Sequence, residues 1–388
     1  MSGVLLHDGR VVGHRKWTRE AVQAGCASGI VINPFTTPRV TRRQQPSAAA
    51  FAKDMEDLDA EFIFDPMTHA RMLGSTNKLD FYDQWELWPN PVPSLASATE
   101  QLDHVERVFE RQNQLSAPLL APTVQVSSPL GAEAQIALDL ASVASGLKDT
   151  AWQSVVGTRS FWAAGSDLDA HIGTLASLRA PVWVLTVANE VVLDSLPDLR
   201  DTTAFAGLCR SVRSLSLRSR VIVCYADYAG LPAVAAGADT IGTGWHRAQR
   251  TFDPAAFRLD SDTSPRRQAS YVTQGGLHAV LRRATADQIE RWDAERAARI
   301  RGGVMPRTDS EERMHHLHQL SSVVELLNAE SSPQRRYELL RDRYAAAADD
   351  FDALIRAIPS VGTRDKEVWC TQMSAVLEAY ASAEGLGL

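Results

Sequence analysis

One short stretch places a carboxylate and an imidazole close together. Asp65 ends the segment EFIFD, and His69 follows four positions later in Asp-Pro-Met-Thr-His. At this spacing the two side chains can act as an acid/base pair or as two metal ligands. The His-x-His pair typical of barrel amidohydrolases is absent from the predicted strand ends, so we predict no metal site and interpret Asp65 and His69 as catalytic candidates. The alternative is that Asp65 caps the next turn and that His69 lies on the surface.

A second candidate carboxylate is Glu190, which follows Asn189 directly. The pair resembles the Asn-Glu dipeptide that many barrel glycosidases carry for their general acid. The resemblance implies a catalytic Glu190 and a second carboxylate roughly 5–10 Å away, supplied by Asp227 or Asp65. In those enzymes the pair follows the fourth strand, whereas here it follows the fifth predicted strand. The alternative is a solvated Glu190 at the start of a loop.

The third candidate, Asp227, lies between Tyr225 and Tyr228 at the end of the apolar segment RVIVC. Aromatic walls can raise the pKa of a carboxyl group and make it an acid or base. Tyr225 and Tyr228 also offer stacking surfaces for a base or sugar, so we predict that both bind ligand. The alternative is that these rings only close the rim of the fold.

Arginines gather at the predicted strand ends although the chain has a net charge of −7. Arginine grips phosphate or carboxylate with two parallel hydrogen bonds, so an Arg-rich site predicts an anionic ligand. The alternative is that several of them point to solvent or pair with acids in loops. The arginines that we predict to bind ligand are Arg39, Arg159, Arg247 and Arg250. Two polar residues at strand ends, Asn33 and Gln125, are predicted to bind ligand with them.

Glycine-rich turns follow the seventh and eighth predicted strands. The segments are Gly-Thr-Gly-Trp-His at 242–246 and Gln-Gly-Gly at 274–276. Barrel enzymes frequently bind phosphate with these two loops through backbone N–H groups. We therefore predict a phosphate site here, with His246 as a further catalytic candidate, and the alternative is that tight turns simply need glycine. The predicted ligand-binding residues are Thr243, Gly244, Trp245, Gln274 and Gly275.

The elements that must position these residues alternate between short apolar strands and helices. Eight strands in one series predict a (β/α)8 barrel over residues 29–303. A doubly wound open sheet is the alternative, but the GxGxxG turn it often shows after its first strand is absent. The predicted strands are 29–33, 61–65, 119–126, 153–157, 182–187, 221–225, 238–242 and 268–273.

Two further segments flank the predicted barrel. Residues 1–28 are expected to form a small N-terminal cap, with a hairpin around Asp8-Gly9, because Asp-Gly favours hairpin turns. Residues 304–388 contain only helical patterns, at about 310–329, 332–358 and 364–383, punctuated by proline. We predict a C-terminal helical extension that packs on the barrel or on a protein partner.

Composition excludes several classes of function. The 388 residues contain no apolar run long enough to span a membrane. The four cysteines are scattered without a CxxC pair, which excludes a Cys-rich zinc or iron–sulfur site and is typical of a reducing cytoplasm. The five lysines avoid the predicted strand ends, which disfavours Schiff-base chemistry.

These observations favour an enzyme, a transferase or hydrolase, acting on a phosphate-bearing ligand such as a nucleotide, nucleic acid or sugar phosphate. Carboxylates beside aromatic platforms would fit chemistry at a glycosidic bond. Queuine-type tRNA transglycosylases are barrels of this kind, an analogy of fold alone, because their cysteine-rich zinc signature is absent here. The alternatives are a non-catalytic barrel subunit docking through its C-terminal helices and a flavin-type redox barrel. The sequence identifies no cofactor.

Overall fold

The computed structural model describes residues 3–42, 44–73, 79–193, 196–246, 249–257 and 270–387. Short apolar segments form the strands, and most of their residues are buried on both faces, as expected for a parallel sheet covered by helices. The strands are β1 (Gly3–His7), β2 (Gly29–Ile32), β3 (Glu61–Phe64), β4 (Gln125–Val126), β5 (Gln153–Thr158), β6 (Val182–Ala188), β7 (Val192–Leu193), β8 (Leu196–Pro197), β9 (Arg220–Cys224), β10 (Thr240–Thr243), β11 (Tyr271–Gln274) and β12 (Ala279–Arg282).

Eight of these strands form one parallel sheet in the order β3-β2-β1-β10-β9-β6-β5-β4. Neighbours in the sheet are consecutive among its eight strands along the chain except where β1 joins β10; β7 and β8, which lie between β6 and β9 in the chain, are outside this sheet. A buried cluster on the sheet contains Ile63 of β3, at one end of this order, and Leu120, which precedes β4 at the other end. The sheet therefore curls into a barrel-like α/β fold. β7 with β8 and β11 with β12 form two separate antiparallel pairs.

The N-terminal strand corrects one expectation. Residues 3–7 do not form a hairpin around Asp8-Gly9; they form β1, which lies between β2 and β10 near the middle of the sheet. The physical reason is that all five residues are buried. The run Val-Leu-Leu is apolar on both faces, which suits a central parallel strand better than a half-exposed hairpin. Asp8-Gly9 is the loop that follows this strand.

The expected eighth strand at 268–273 is also corrected. The part of it that the structure describes pairs antiparallel with β12, outside the main sheet, with Tyr271 opposite Arg282. The eighth parallel strand is β1 instead. The third expected strand, 119–126, is reduced to β4 and a single bridge between Leu120 and Trp152. Pro122 lies in the gap, and proline cannot donate to a strand ladder.

Helices follow the strands and cover the sheet. Among the described residues, no helix is both long and apolar enough to cross a membrane. The helices are α1 (His14–Gln23), α2 (Ala48–Asp57), α3 (Thr68–Arg71), α4 (Leu79–Tyr82), α5 (Ala98–Gln114), α6 (Ala132–Leu147), α7 (Arg159–Trp162), α8 (Ser166–Ala176), α9 (Thr202–Ser216), α10 (Leu231–Ala236), α11 (Arg283–Trp292), α12 (Ala294–Arg301), α13 (Asp309–Asn328), α14 (Pro333–Ala357), α15 (Thr363–Lys366) and α16 (Gln372–Glu384).

The C-terminal helices lie close to their expected positions, and they pack on the rest of the chain. α13 contacts β1, α14 contacts α10 and α16 contacts α9. The Asn328 side chain donates a hydrogen bond to the Asp239 carbonyl at 2.8 Å, and the Gln372 side chain accepts one from the Leu199 N–H at 3.1 Å. Helix α13 therefore brings its side chains to the sheet, which matters for the site below.

Gly242 of β10 has no room for a side chain. A Cβ atom at this position would overlap Nε2 of His7, whose ring stacks on Tyr225. We expect Gly242→Ala to lower the free energy of unfolding by about 1–3 kcal/mol, the usual cost of overpacking. Urea unfolding measures it.

The matched control is Gly173→Ala in α8, where a Cβ meets no atom within 4 Å. Alanine should stabilise that exposed helical position by about 0.5–1 kcal/mol. Equal effects at the two positions would contradict the close approach of β10 to His7.

Candidate functional site

A cavity of about 360 Å³ lies where the parallel strands end. Its wall is aromatic: the ring centroids of Tyr225 and Phe252 are 5.6 Å apart, those of Phe252 and Phe257 are 5.6 Å apart, and those of Phe35 and Phe257 are 5.0 Å apart. We call this space the mouth cavity. It is also lined by Asp8, Asn33, His246 and Gln249.

Tyr225 is fixed by His7, a residue that the sequence analysis missed. The rings stack at 3.7 Å with an interplanar angle of 12°, and the Tyr225 N–H donates to His7 Nε2 at 3.0 Å. Burial lowers the pKa of His7 to about 3, so the ring is neutral and its proton is on Nδ1. That nitrogen has no hydrogen-bond partner among the described residues. In the sequence, His7 directly follows the apolar run Val4-Leu5-Leu6, and this position after a strand-like run could have identified it as a candidate.

Asp65 follows β3 and is buried. Its Oδ1 accepts a hydrogen bond from the Met67 N–H at 2.8 Å. Burial raises the pKa of Asp65 to about 6, although the Met67 hydrogen bond acts in the opposite direction. Its carboxyl group is therefore a weak acid that can hold or release a proton near neutral pH, the property expected of a general acid.

His69 lies edge-on to Phe252, with ring centroids 5.1 Å apart. Burial lowers the pKa of His69 to about 3, and its Nε2 has no hydrogen-bond partner among the described residues. The structure shows no hydrogen bond or ion pair between His69 and Asp65, both of which it describes. No group of three or more metal-ligating side chains occurs within the described ranges. Asp65 and His69 thus occupy the same end of the sheet as separate groups.

Asp227 has different surroundings from those expected. Its Oδ1 accepts from the Tyr228 N–H at 2.7 Å, and its Oδ2 accepts from Thr243 Oγ1 at 2.9 Å. His316 Nε2 and Arg250 Nε each lie 3.2 Å from the same Oδ2. Burial alone would raise the pKa of Asp227, but hydrogen bonds from His316 and Thr243 and the positive charge of Arg250 hold it below its usual range. The aromatic neighbours therefore do not make Asp227 a weak acid; its carboxylate stays ionised.

The predicted arginines do not converge on one point. Arg39 pairs with Glu86 at 2.8 Å, Arg159 donates to the Val191 carbonyl at 3.2 Å, and Arg250 donates to the Gly244 carbonyl at 3.1 Å as well as facing Asp227. Burial lowers the pKa of Arg159. Arg247 lies outside the described residues. Each described arginine is thus held by local partners, which the charge count along the sequence could not reveal.

Arg313 of α13 is a cation that the sequence analysis missed. Its guanidinium carbon lies 3.9 Å from the centre of the Trp17 ring. Together with Trp245, His246, Arg250, Thr273 and His316 it lines a second, smaller cavity of about 130 Å³, where Asp309 and Glu312 supply carboxylates. We call this space the small cavity.

His246 lines both cavities. The backbone N–H of His246 donates to Gln249 Oε1 at 2.9 Å, and Gln249 Nε2 donates to the backbone carbonyl of His7 at 2.7 Å. Burial lowers the pKa of His246 to about 4, and the positive charges of Arg313 and Arg250 act in the same direction. Arg313 and Arg250 therefore place positive charge near His246, while Asp309 and Glu312 place carboxylates on the small cavity.

The glycine turns have steric explanations. A Cβ at Gly244 would overlap the Gln249 side chain, and one at Gly275 would overlap Gln319. Gly275 also lies in the turn between β11 and β12, so it does not follow a strand of the main sheet. Close side-chain packing accounts for both glycines without a bound phosphate.

The other predicted residues have mixed positions. Asn33 Oδ1 accepts from the Phe35 and Thr36 N–H groups at 3.0 and 3.2 Å, a local turn. Asn189 is buried, and its N–H donates to the Phe252 carbonyl at 2.9 Å, whereas Glu190 is exposed. Four of these predicted residues have a buried polar atom without a hydrogen-bond partner among the described residues: Gln125 Oε1, Asn189 Oδ1, Tyr228 Oη and Trp245 Nε1. The buried Gln274 donates to the Val272 carbonyl at 3.4 Å.

Comparisons with known proteins identify no family. No protein-family model matches the sequence, and no curated protein matches it. Among solved structures, the chain is similar to a probable tagatose 6 phosphate kinase from Sinorhizobium meliloti 1021, with 11% sequence identity and a TM-score of 0.35 over 99% of this chain and 100% of that chain. Similarity at that level does not indicate a function.

Proposed function

We propose that this chain is an enzyme that cleaves or exchanges the glycosidic bond of a nucleotide-like ligand at the C-terminal ends of a closed (β/α)8 barrel. The observation on which this depends is the buried Asp65, whose pKa is raised to about 6 at the same end of the sheet as an aromatic cavity. Catalytic groups sit at this end in barrel enzymes. The phosphate-bearing ligand could be a free nucleotide or part of a nucleic acid.

The mouth cavity supports a ligand with a flat ring. About 360 Å³ is within the usual size of small-molecule sites, and the rings of Tyr225 and Phe252 offer faces for stacking. The space beside His246 would receive the anionic group, with Arg313 as the cation that faces it from the small cavity.

Glycosidic-bond chemistry needs two carboxyl groups with different protonation states. Asp65 would protonate the leaving base, because its pKa leaves it partly protonated near neutral pH. The carboxyl group of Asp8, which lines the mouth cavity and accepts a hydrogen bond from the Thr37 hydroxyl, would stabilise the positive charge that develops on the sugar. Water or an acceptor base would then bond to the anomeric carbon and give up a proton to the Asp65 carboxylate, which restores the acid.

The test is binding and base release with nucleosides, nucleoside monophosphates and short RNA. Asp65→Asn should bind the ligand normally but release base about 10²–10⁴-fold more slowly, the usual contribution of a general acid. Arg313→Gln should weaken monophosphate binding roughly tenfold, the value of a charged hydrogen bond, and leave nucleoside binding unchanged.

Asp149→Asn is the matched control, because Asp149 is exposed beyond the end of α6. It should behave as the parent chain does. A parent chain that binds none of these ligands would refute the proposal and favour the non-catalytic scaffold. Normal turnover by Asp65→Asn would refute the role of Asp65.

A further inference from the structure

A hydrogen-bonded relay of three buried side chains crosses from β11 to α13 and on to the loop after β9. Thr273 Oγ1 lies 2.9 Å from His316 Nδ1, and His316 Nε2 lies 3.2 Å from Asp227 Oδ2. Their exposed fractions are only 2%, 2% and 1%. A hydroxyl, an imidazole and a carboxylate in this order are the parts of a nucleophile, a base and the group that orients the base.

The direction of these hydrogen bonds follows from the chemistry of Asp227. An ionised carboxylate can only accept, so His316 Nε2 must carry a proton and donate it. Burial lowers the pKa of His316, and the neighbouring Arg250 acts in the same direction; together they outweigh the opposite effect of Asp227 and favour the neutral ring. The unprotonated Nδ1 then carries a lone pair, so the Thr273 hydroxyl must donate a hydrogen bond to it. This is the arrangement in which an imidazole withdraws a proton from a nucleophilic oxygen.

The relay ends at the small cavity rather than in solid core. Thr273 and His316 both line this space of about 130 Å³, which suits a small acyl group. Trp245 lines it as well, and its indole Nε1, which can only donate, is buried without a hydrogen-bond partner among the described residues. Arg313 adds a positive charge at the same cavity. An N–H donor and a cation are what a developing oxyanion requires.

We propose that Thr273 is the nucleophile of a second catalytic site, an esterase site for small carboxylic esters in the small cavity. Thr273 Oγ1 bonds to the carbonyl carbon while its proton passes to His316 Nδ1. The carbon–oxygen bond to the alcohol then breaks, and His316 returns the proton to the departing alkoxide. Water hydrolyses the acyl-threonine by the same route, so no further reactant is needed. Asp227 remains ionised throughout and acts as a positioning residue.

The test is covalent labelling of the full chain with a fluorophosphonate that carries short alkyl groups. A phosphorus–oxygen bond should form at Thr273 as fluoride leaves, and mass spectrometry should find the adduct on the peptide that contains Thr273. Thr273→Ser should label at least as fast, since serine keeps the hydroxyl and is less hindered. His316→Gln should slow labelling about 10²-fold or more.

Ser270→Ala is the matched control, because Ser270 lines the same cavity but its hydroxyl donates to Glu312 at 2.8 Å instead of to an imidazole. It should label at the parent rate, and Thr273→Val, which removes only the hydroxyl, should not label. A folded parent chain that gives no adduct at Thr273 would overturn the proposal, as would equal labelling of His316→Gln. The result is independent of base release in the mouth cavity, so the two sites are tested separately.

Discussion

Replacing Asp227 by Asn is expected to lower the free energy of unfolding by about 3–5 kcal/mol, the cost of breaking a buried ion pair from one side. The carboxylate faces donors from four residues: Tyr228, Thr243, His316 and Arg250. Asparagine supplies one acceptor oxygen and places an NH2 group against the remaining donors. Arg250 would then keep a buried charge without its carboxylate. Urea unfolding at pH 7 measures the loss.

The control for this prediction is Asp342→Asn, which breaks the exposed contact between Asp342 and Arg341 at 2.8 Å. Solvent screens such a pair, so its loss should change stability little. If Asp227→Asn also changed the free energy of unfolding only slightly, the contacts of Asp227 would not hold the β9, β10 and α13 segments together.

The pH dependence of the Asp227 effect has a definite sign. Its pKa is lower in the fold than in an unfolded chain, so the stabilisation is complete above the ordinary pKa of about 3.9. It is lost as the pH falls below that value, because the carboxylate takes up a proton more readily in the unfolded chain than in the folded one, and this favours unfolding. The difference between the parent chain and Asp227→Asn should therefore shrink in strong acid.

Replacing Asp65 by Asn is expected to stabilise the protein at pH 8 by up to roughly 3 kcal/mol, even though it removes the proposed acid. Burial raises the pKa of Asp65 from 3.8 to about 6, and each factor of ten in proton affinity corresponds to about 1.36 kcal/mol. The folded chain therefore loses stability as the pH rises from about 4 to about 6, when the buried carboxyl ionises. Asparagine stays neutral and can still accept from the Met67 N–H.

The measurement is urea unfolding of the parent chain and Asp65→Asn between pH 4 and pH 8. The two should be nearly equal at pH 4 and diverge above it. The exposed Asp149→Asn should follow the parent chain throughout. If Asp65→Asn were instead less stable at pH 8, the Asp65 carboxylate would be stabilised by a partner, and its assignment as an acid would be wrong.

The alternation of strands and helices was predictable because each strand is a short apolar run with a helical pattern after it. β1 was misread because Asp8-Gly9 has the composition of a hairpin turn, and only the register beside β2 and β10 shows that the chain continues past it. The pair β11 and β12 was misread for the opposite reason. An isolated strand sequence does not reveal whether its partner runs parallel or antiparallel.

The sequence could predict only those residues of the candidate site that lie at or just after the end of a strand. Asp65, Tyr225 and His246 lie at the expected end of the sheet because parallel strands end together. The contact between Asp227 and His316 joins residues 89 positions apart, and that between Thr273 and His316 joins residues 43 apart. No local pattern contains such pairs, so the sequence did not show that helix α13 supplies four of the residues that line the small cavity.

The central place of β1 has a consequence for folding during synthesis. Gly3 pairs with Thr240, so one side of this strand has no partner until about 237 more residues have been made. At 5–20 residues per second the delay is roughly 10–50 s. During it, one edge of an apolar strand has no neighbour within the chain, and such edges promote association between molecules. During synthesis the unpaired edge of β1 is therefore exposed for a long period, in which binding by a chaperone would prevent association between molecules.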